Sequence, residues 1–203
     1  MSGPNGLLKR AVDLQISDGA ELPGDLAVPD YCRAAAVVCH PHPQFGGDRF
    51  NHVVGALFTA LPAAGVAALR FDFRQEYGEG VAEVLDVQAA IDVLADAVPG
   101  VPILVTGYSF GAVVALVLDD DRVRGKVLVA PPLGTEPRPA PGVSTLVLTP
   151  AQDQFCPPST AEPMVSTWPE AELRVVETAD HFLVGRTGVV VDETVAWIDD
   201  LLT

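Results

Sequence analysis

The chain has 203 residues, of which 49% are hydrophobic and 19% are charged. This length suffices for one sizeable hydrophobic core but not for two ordinary domains, so we expect a single domain spanning residues 1–203. The 27 acidic and 12 basic side chains give a net charge of -15. A surface of that sign repels phosphate backbones and anionic lipid, so neither nucleic acid nor a membrane is an expected partner.

The apolar stretches are interrupted by Gly, Pro, Asp or Arg well before the roughly 18 to 20 residues that a membrane-spanning helix needs. Residues 1–10 lack the basic head and continuous apolar stretch of a secretory signal. The cysteines, Cys32, Cys39 and Cys156, match neither a disulfide framework nor a zinc spacing. We therefore expect a cytoplasmic protein whose cysteines are small core hydrophobes.

Apolar runs rich in Val, Leu and Ala alternate along the chain with helical patterns. This alternation is typical of an α/β protein with a mostly parallel central sheet and helices on both faces. Two short early segments around the turn at residues 17–19 predict an N-terminal hairpin within residues 1–33, as part of the same domain. From there the pattern predicts strands at 34–39, 66–73, 103–106, 126–130, 145–148 and 172–176, and helices at 51–61, 81–97, 110–118, 159–167 and 189–202.

Two of the predicted helices differ in their polarity. The helix at 81–97 has one apolar stripe, which predicts an amphipathic surface helix; off that stripe lie the acidic residues Glu83, Asp86, Asp92 and Asp96. The helix at 110–118 is almost wholly apolar, which predicts a central, buried position. Five of the twelve residues at 131–142 are proline, so this connection is predicted to be an irregular loop that leaves no room for a cap domain.

The segment Gly107-Tyr108-Ser109-Phe110-Gly111 has the spacing Gly-x-Ser-x-Gly where a predicted strand meets a predicted helix. Six serines and 18 glycines in 203 residues predict about 0.05 chance matches to this motif. A serine on such a turn adopts strained dihedral angles, and a Cβ at either glycine would collide with adjacent backbone. Its hydroxyl is exposed at a helix N-terminus, which favours developing negative charge. Ser109 is therefore the predicted nucleophile, the alternative being a helix-capping serine.

A serine hydroxyl needs a base, and the candidates are the four histidines His40, His42, His52 and His181. His181 follows the last predicted strand, at the carboxyl edge of the sheet where ligands bind in open α/β folds. We therefore favour His181 as the base over the alternative of a surface-loop histidine.

The base in turn needs an acid to orient its ring. Asp153 follows the penultimate predicted strand, in a loop beside the one that carries His181, and is the favoured acid. Asp180 is the rival. As the immediate neighbour of His181 it would point away from the ring, so we interpret Asp180 as a turn residue.

An oxyanion hole needs two backbone donors, one of which is expected to be the N–H of Phe110. The second should come from the loop at residues 40–47, whose prolines cannot donate. His42 is the first choice, with Gln44 or Phe45 behind it. A His-x-His pair can instead bind a metal, but no carboxylate or thiol cluster surrounds it, so we expect no metal.

Contacts to the substrate are expected from Gln44, Phe45, Tyr108 and Cys156. Cys156 lacks the turn that exposes Ser109 and is therefore a poor candidate for the nucleophile. The alternating charges at residues 70–74 end a predicted strand near the site, and we interpret them as structural.

Taken together, the segments 40–47, 70–74, 107–111, 130–132 and 179–182, with Asp153, resemble those of the small, lidless bacterial α/β-hydrolases that are similar to dienelactone hydrolases and short carboxylesterases. The likeness spans residues 34–202. It implies the α/β-hydrolase fold without a cap domain, with the chain order Ser109 (nucleophile), Asp153 (acid) and His181 (base), and with His42 and Phe110 as oxyanion donors. Such proteins usually have a Gly- and Ser-rich loop after Arg74, where this chain has a short acidic one.

The leading hypothesis is a serine hydrolase that cleaves a small ester or thioester through an acyl-enzyme on Ser109, with a small-molecule acyl substrate and no cofactor. An acyltransferase that uses the same three residues is one alternative. A non-catalytic ligand-binding domain of the same fold is another, although all three positions are filled with suitable side chains.

Overall fold

A computed structural model describes residues 6–134 and 139–203. Within these residues the strands are β1 (Leu8–Gln15), β2 (Glu21–Val28), β3 (Ala34–Cys39), β4 (Val66–Phe71), β5 (Ile103–Tyr108), β6 (Val123–Val129), β7 (Ser144–Gln152) and β8 (Ala171–Asp180). The α-helices are α1 (His52–Ala60), α2 (Ala82–Ala97), α3 (Phe110–Val117), α4 (Pro158–Val165) and α5 (Thr187–Leu201). Short 3₁₀ helices cover Pro43–Phe45 and Leu61–Ala64.

The strands form one sheet in the order β1-β2-β4-β3-β5-β6-β7-β8. The pairs from β4 to β8 are parallel, whereas β1 pairs with β2, and β2 with β4, in antiparallel directions. The predicted α/β class and mostly parallel sheet are therefore confirmed. The predicted hairpin is present as β1 and β2, and it extends the sheet at the β4 side.

Both faces of the sheet are covered by helices, as predicted. Because side chains alternate between the two faces of a strand, Val37 of β3 packs into the core beneath α2, α3 and α4, while its neighbour Val38 packs into the core beneath α1 and α5. The near-continuous burial of β3, β5 and β6 follows from this double cover.

Five strands end at other residues than predicted at the edge that carries the candidate residues. β5 runs to Tyr108 rather than residue 106, and β6, which begins at Val123 rather than residue 126, ends at Val129 rather than residue 130. β4 ends at Phe71 rather than residue 73, because the chain leaves the sheet and the N–H of Phe73 donates to His40 Nε2 at 2.9 Å. β7 and β8 run four residues past their predicted ends. The sequence pattern did not predict this extension, because Pro150 and the polar residues near it are unusual within a strand. The pairing of β7 and β8 accommodates these residues through a register shift between Pro150 and Gln152.

The prediction that α2 keeps its acidic residues away from the core is wrong for Glu83 and Asp86, which are both fully buried. The Glu83 carboxylate accepts the N–H groups of Gly78 and Gly80 at 2.8 and 3.0 Å. Burial raises the pKa of Asp86, although its hydrogen bonds with Arg74 oppose that shift. Both carboxylates therefore hold the short loop that follows β4 against the start of α2.

The buried position predicted for α3 is confirmed for six of its eight residues, but Val113 and Val117 remain partly exposed. Of the three cysteines, Cys39 and Cys156 are buried as expected, whereas Cys32 is half-buried and packs at the margin of the core. None of the described helices combines the length and the hydrophobicity needed to cross a bilayer.

The proline-rich loop predicted at 131–142 has neither helix nor strand over residues 131–134 and 139–142. Its residues 135–138, like residues 1–5 of the N-terminal segment, lie outside the described residues.

Candidate active site

Ser109 lies on the sharp turn between β5 and α3, with φ 52° and ψ -116°. That left-handed conformation is unfavourable for a residue with a side chain, and it is held by a hydrogen bond from the Ser109 N–H to the carbonyl of Val129 at 2.9 Å. A Cβ at Gly107 would lie 2.1 Å from the Gly111 carbonyl oxygen, and a Cβ at Gly111 would lie 2.6 Å from the carbonyl oxygen of His40. Both glycines are therefore required by backbone approach, for the reason that the sequence indicated.

The imidazole of His181 lies between a hydroxyl and a carboxylate. Its Nε2 is 2.9 Å from Ser109 Oγ, and its Nδ1 is 2.8 Å from Asp153 Oδ2. An ionised carboxylate can only accept, so Nδ1 carries the ring proton and Nε2 is left to accept the hydroxyl proton. His181 is only 6% exposed, and its ring is therefore fixed in the orientation that proton transfer from Ser109 requires.

Asp153 is held from both of its oxygens. While Oδ2 faces His181, Oδ1 accepts the N–H groups of Phe155 at 2.7 Å and of Cys156 at 3.1 Å. Burial by itself raises the pKa of Asp153, but the hydrogen bonds from His181 and from the two backbone N–H groups together bring that pKa below its usual value. The carboxylate therefore stays ionised in its buried position.

The rival acid, Asp180, does not face the ring. Its Oδ1 accepts the N–H of Phe182 at 3.0 Å, which closes a local turn of the kind that Asp side chains favour. The interpretation of Asp180 as a turn residue is therefore confirmed.

Three further side chains hold the loop that carries His181. The Tyr108 hydroxyl donates to the His181 carbonyl at 2.9 Å, and burial raises the pKa of Tyr108 to about 12, so this donor keeps its proton. Gln154 accepts the His181 N–H at 3.4 Å, and His52 Nε2 donates to the carbonyl of Phe182 at 2.9 Å. No motif singled out Gln154 or His52 for this role, because each contact joins segments that are distant in sequence.

The backbone N–H groups of His42 and Phe110 are the two predicted oxyanion donors. Across residues 6–134 and 139–203, neither N–H has an acceptor. By contrast, the Gln44 N–H donates to His42 Nδ1 at 3.2 Å and the Phe45 N–H donates to the His42 carbonyl at 3.1 Å. The second-choice donors are therefore already engaged, while the rings of His42 and Phe110 lie 4.7 Å apart at the same cavity as Ser109.

His40 serves the structure of the loop rather than a metal. Its Nε2 accepts the Phe73 N–H, so its Nδ1 carries the proton and donates to the Pro41 carbonyl at 2.5 Å. Burial lowers the pKa of His40, which keeps the ring neutral. No cluster of three or more His, Cys, Asp or Glu side chains suited to a metal ion occurs in the part of the chain that the structure describes.

A cavity of about 1070 Å³ opens at Ser109 and His181. Of the residues expected to contact substrate, Phe45 and Tyr108 line it, but Gln44 and Cys156 do not. Cys156 is only 2% exposed and lies behind the acid, to which its N–H donates, whereas Gln44 points to solvent. The cavity has further apolar and aromatic lining that the sequence analysis did not identify: Tyr77, Val81, Val84, Val113, Val117, Phe155 and Phe182.

The short acidic loop at residues 75–80, which follows Arg74, forms one rim of this cavity. Tyr77 and Glu79 both line it, and the Tyr77 ring lies 4.8 Å from that of His42. Arg74 anchors the start of the loop through ion pairs with Asp86 and Asp18. The charged residues at 70–74 therefore have the structural role that was expected of them: Arg70 pairs with Asp25 and Asp72 with Arg49, while Arg74 holds the rim that lies above the site.

No profile of a known protein family matches the sequence. An uncharacterised protein of Rickettsia prowazekii is 28% identical over 176 residues, which cover 75% of this chain and 73% of that protein.

Solved structures share the whole fold. A serine hydrolase homologue from Coxiella burnetii is 27% identical, covers 92% of this chain and 96% of its own, and superposes with a TM-score of 0.81. A serine hydrolase without a lid from Xanthomonas campestris is 25% identical, covers 91% and 90% of the two chains, and has a TM-score of 0.78. An esterase from Pyrococcus furiosus, 17% identical over 97% and 92% of the two chains with a TM-score of 0.78, shares the fold. The chain therefore has the fold of the lidless α/β-hydrolases, as its motifs suggested.

Proposed function

We propose that this protein is a serine hydrolase that cleaves a carboxylic ester or thioester through an acyl-enzyme on Ser109. The likeness to serine hydrolases supports hydrolase activity at a coarse level. The observation that carries the finer proposal is the hydrogen-bonded series from Ser109 Oγ to His181 and from His181 to Asp153. A domain that only binds ligands would have no need of a strained serine, a fixed tautomer and a buried carboxylate in that order.

In the first half of the reaction, His181 Nε2 takes the hydroxyl proton as Ser109 Oγ attacks the carbonyl carbon of the substrate. The carbonyl oxygen becomes negatively charged and accepts the N–H groups of His42 and Phe110. Asp153 stabilises the imidazolium that forms. The tetrahedral intermediate then expels the alcohol or thiol, which receives the proton from Nε2, and the acyl group remains on Ser109.

In the second half, a water molecule takes the place of the leaving group beside His181. Nε2 accepts one proton of this water as its oxygen attacks the acyl carbon, and the same two N–H groups hold the oxyanion again. The intermediate collapses to release the acid, and the proton returns to Ser109 Oγ. These steps consume one water per ester and require no cofactor.

The cavity supports a neutral, apolar small molecule as the substrate. Among its described lining residues there is neither Lys nor Arg, and Glu79 lies at the rim. A carboxylate or phosphate on the substrate would therefore meet negative charge without a counter-ion. The apolar and aromatic lining is of the kind that binds hydrocarbon groups with few polar contacts.

The proposal is tested by labelling the folded protein with a fluorophosphonate and by assaying turnover of p-nitrophenyl butyrate. We expect one covalent adduct on the peptide that contains Ser109, and loss of both labelling and turnover in Ser109→Ala with an unchanged thermal unfolding midpoint. Ser159→Ala, which changes an exposed serine of α4, is the matched control and should behave as wild type. Turnover that survives in Ser109→Ala would overturn the assignment.

Hydrolysis and acyl transfer are separated by product analysis in the same assay. We expect the free acid to remain the main product when a short alcohol is added at millimolar concentration. A new ester as the main product under those conditions would assign the protein to the acyltransferases instead.

A further inference from the structure

Two valines of α3 are less buried than the rest of the helix that carries them. Six of the eight residues of α3 are buried, whereas Val113 and Val117 are partly exposed. Both line the cavity that contains Ser109. Their spacing of four residues places them on one face of the helix, so α3 presents an apolar strip to the site at its own N-terminus.

This strip has a defined length. Ser109 directly precedes α3 and Val117, eight positions later, is its last residue, so the two residues lie about 12 Å apart along the helix axis, which is roughly the length of an extended acyl chain of eight to ten carbons. The cavity is lined at both ends of that span. A substrate held at Ser109 can therefore lie along α3 without leaving the cavity.

Apolar side chains also line the cavity beside this strip. Val81 and Val84 come from the start of α2, and Pro132 comes from the loop after β6. Val81 is 76% exposed at the rim of the cavity. We call the channel formed by Val84, Val113, Val117 and Pro132 the α3 groove.

The position of His181 decides which half of the substrate the groove receives. The leaving group must lie next to His181 Nε2, since that atom gives it a proton. The rings of Phe155 and Phe182 lie 4.5 and 5.9 Å from the ring of His181, so they border the leaving-group side. The α3 groove extends from Ser109 along the helix, away from these two rings. It is therefore the part of the cavity that is available to the acyl chain of the substrate.

We propose that the α3 groove binds the acyl chain, and that the protein prefers unbranched, uncharged acyl groups of about eight to ten carbons. This inference rests on the proposed function of Ser109 and adds the substrate class to it. Each methylene that enters an apolar groove raises kcat/KM by about fourfold, so kcat/KM should increase from acetyl to octanoyl esters and level off near decanoyl.

The test is a series of p-nitrophenyl esters from two to fourteen carbons, assayed on wild type and on Val117→Phe. The larger ring at the far end of the groove should shift the optimum to about six to eight carbons and lower kcat/KM for the decanoyl ester by about tenfold, the contribution of roughly two methylenes. The acetyl ester, which does not reach residue 117, should change by less than about twofold. Val113→Phe, one turn closer to Ser109, should shorten the optimum further.

The matched control is Val189→Phe, which makes the same change at an exposed valine of α5 outside the cavity lining. It should leave the whole chain-length profile unchanged. If Val117→Phe does not fold, Val117→Leu makes a smaller version of the same change and should lower decanoyl turnover by about threefold.

A wild-type profile that falls from acetyl onwards, or a Val117→Phe profile equal to that of wild type, would overturn the inference while fluorophosphonate labelling of Ser109 still supports the hydrolase. Absence of labelling and of turnover with every ester would instead overturn the proposed function. In a parallel series of alkyl butyrates, in which the alcohol varies, Val117→Phe should have no chain-length effect; an effect there would place the alcohol, not the acyl chain, in the groove.

Discussion

His181 Nδ1 lies 2.8 Å from Asp153 Oδ2, and the other oxygen of that carboxylate accepts two backbone N–H groups. The two oxygens of Asp153 are therefore not equivalent, because the N–H groups of its own loop need an acceptor and Oδ1 provides it. One oxygen is committed to the backbone of its own loop, and the other sets the tautomer of His181.

The variant Asp153→Asn tests whether Asp153 sets the tautomer of His181. Its amide oxygen should stay on the backbone N–H groups, which turns the NH₂ group toward His181 Nδ1 and moves the ring proton to Nε2, where it can no longer accept from Ser109. We expect kcat to fall by about 10³- to 10⁴-fold, as for the equivalent change in serine proteases. Asp180→Asn, which changes the neighbouring turn residue, should keep kcat within about threefold of wild type. Equal losses in the two variants would contradict the assignment of the acid.

His42→Pro tests the second oxyanion donor. Proline removes the N–H but fits the backbone, because its φ of about -65° is close to the -56° of His42. His42→Ala controls for loss of the imidazole while keeping the N–H. Relative to His42→Ala, we expect His42→Pro to lower kcat for p-nitrophenyl butyrate by about 10²- to 10³-fold. If the two variants have the same kcat, the donor is another group.

Gly107→Ala tests the geometry of the turn at Ser109. The added Cβ would lie 2.1 Å from the Gly111 carbonyl oxygen, and backbone on both sides must shift to admit it. We expect the free energy of unfolding, measured in urea by circular dichroism, to fall by about 3 kcal/mol. Gly188→Ala adds the same methyl group to α5, where nothing lies within 4 Å, and should raise stability by up to about 1 kcal/mol. A comparable loss in both variants would show that the clash at residue 107 is relieved.

Lys126 provides a pH dependence that is independent of the site. Its Nζ is buried and donates to the carbonyls of Leu116 and Leu118 at 3.0 and 2.6 Å, and burial lowers its pKa from 10.5 to about 8. Between pH 8 and pH 10.5, Lys126 is more protonated in the unfolded chain than in the folded protein. The contribution of this group to the free energy of unfolding therefore increases with pH.

The matching experiment compares wild type with Lys126→Met, which cannot titrate. The free energy of unfolding of wild type minus that of the variant should increase by up to about 3 kcal/mol from pH 8 to pH 10.5. Other groups that titrate in this range are common to both proteins and cancel. A difference that stays flat would mean that Lys126 has an ordinary pKa in the folded protein.

Helices and strands with a clear hydrophobic pattern were predicted closely. β3 has the predicted bounds, and α1 begins one residue inside its prediction with Asn51 as its cap. The turn at Ser109 was also predictable, because the two glycines that it requires lie only four positions apart and the clash that excludes a larger residue at Gly107 is local, although the one at Gly111 is with the distant backbone of His40. The placement of Asp153 and His181 at one edge followed from the rule that parallel strands end together.

Other features depended on contacts that no local pattern contains. The burial of Glu83 follows from two N–H groups of the preceding loop, which folds back onto the start of α2. A prediction from hydropathy places a carboxylate at the surface. It contains no information on hydrogen-bond donors that become available only when the loop has folded.

The amino-acid sequence by itself determined the alternation of strands and helices, the strained serine and the identity of the residues that could serve it, since each of these depends on neighbours within a few positions. The tertiary structure alone decided which acid faces the imidazole, which N–H groups are left without acceptors, and that two valines of a buried helix line a groove. These depend on distances between segments far apart in sequence, and side-chain orientation at such distances is set by packing rather than by local preference.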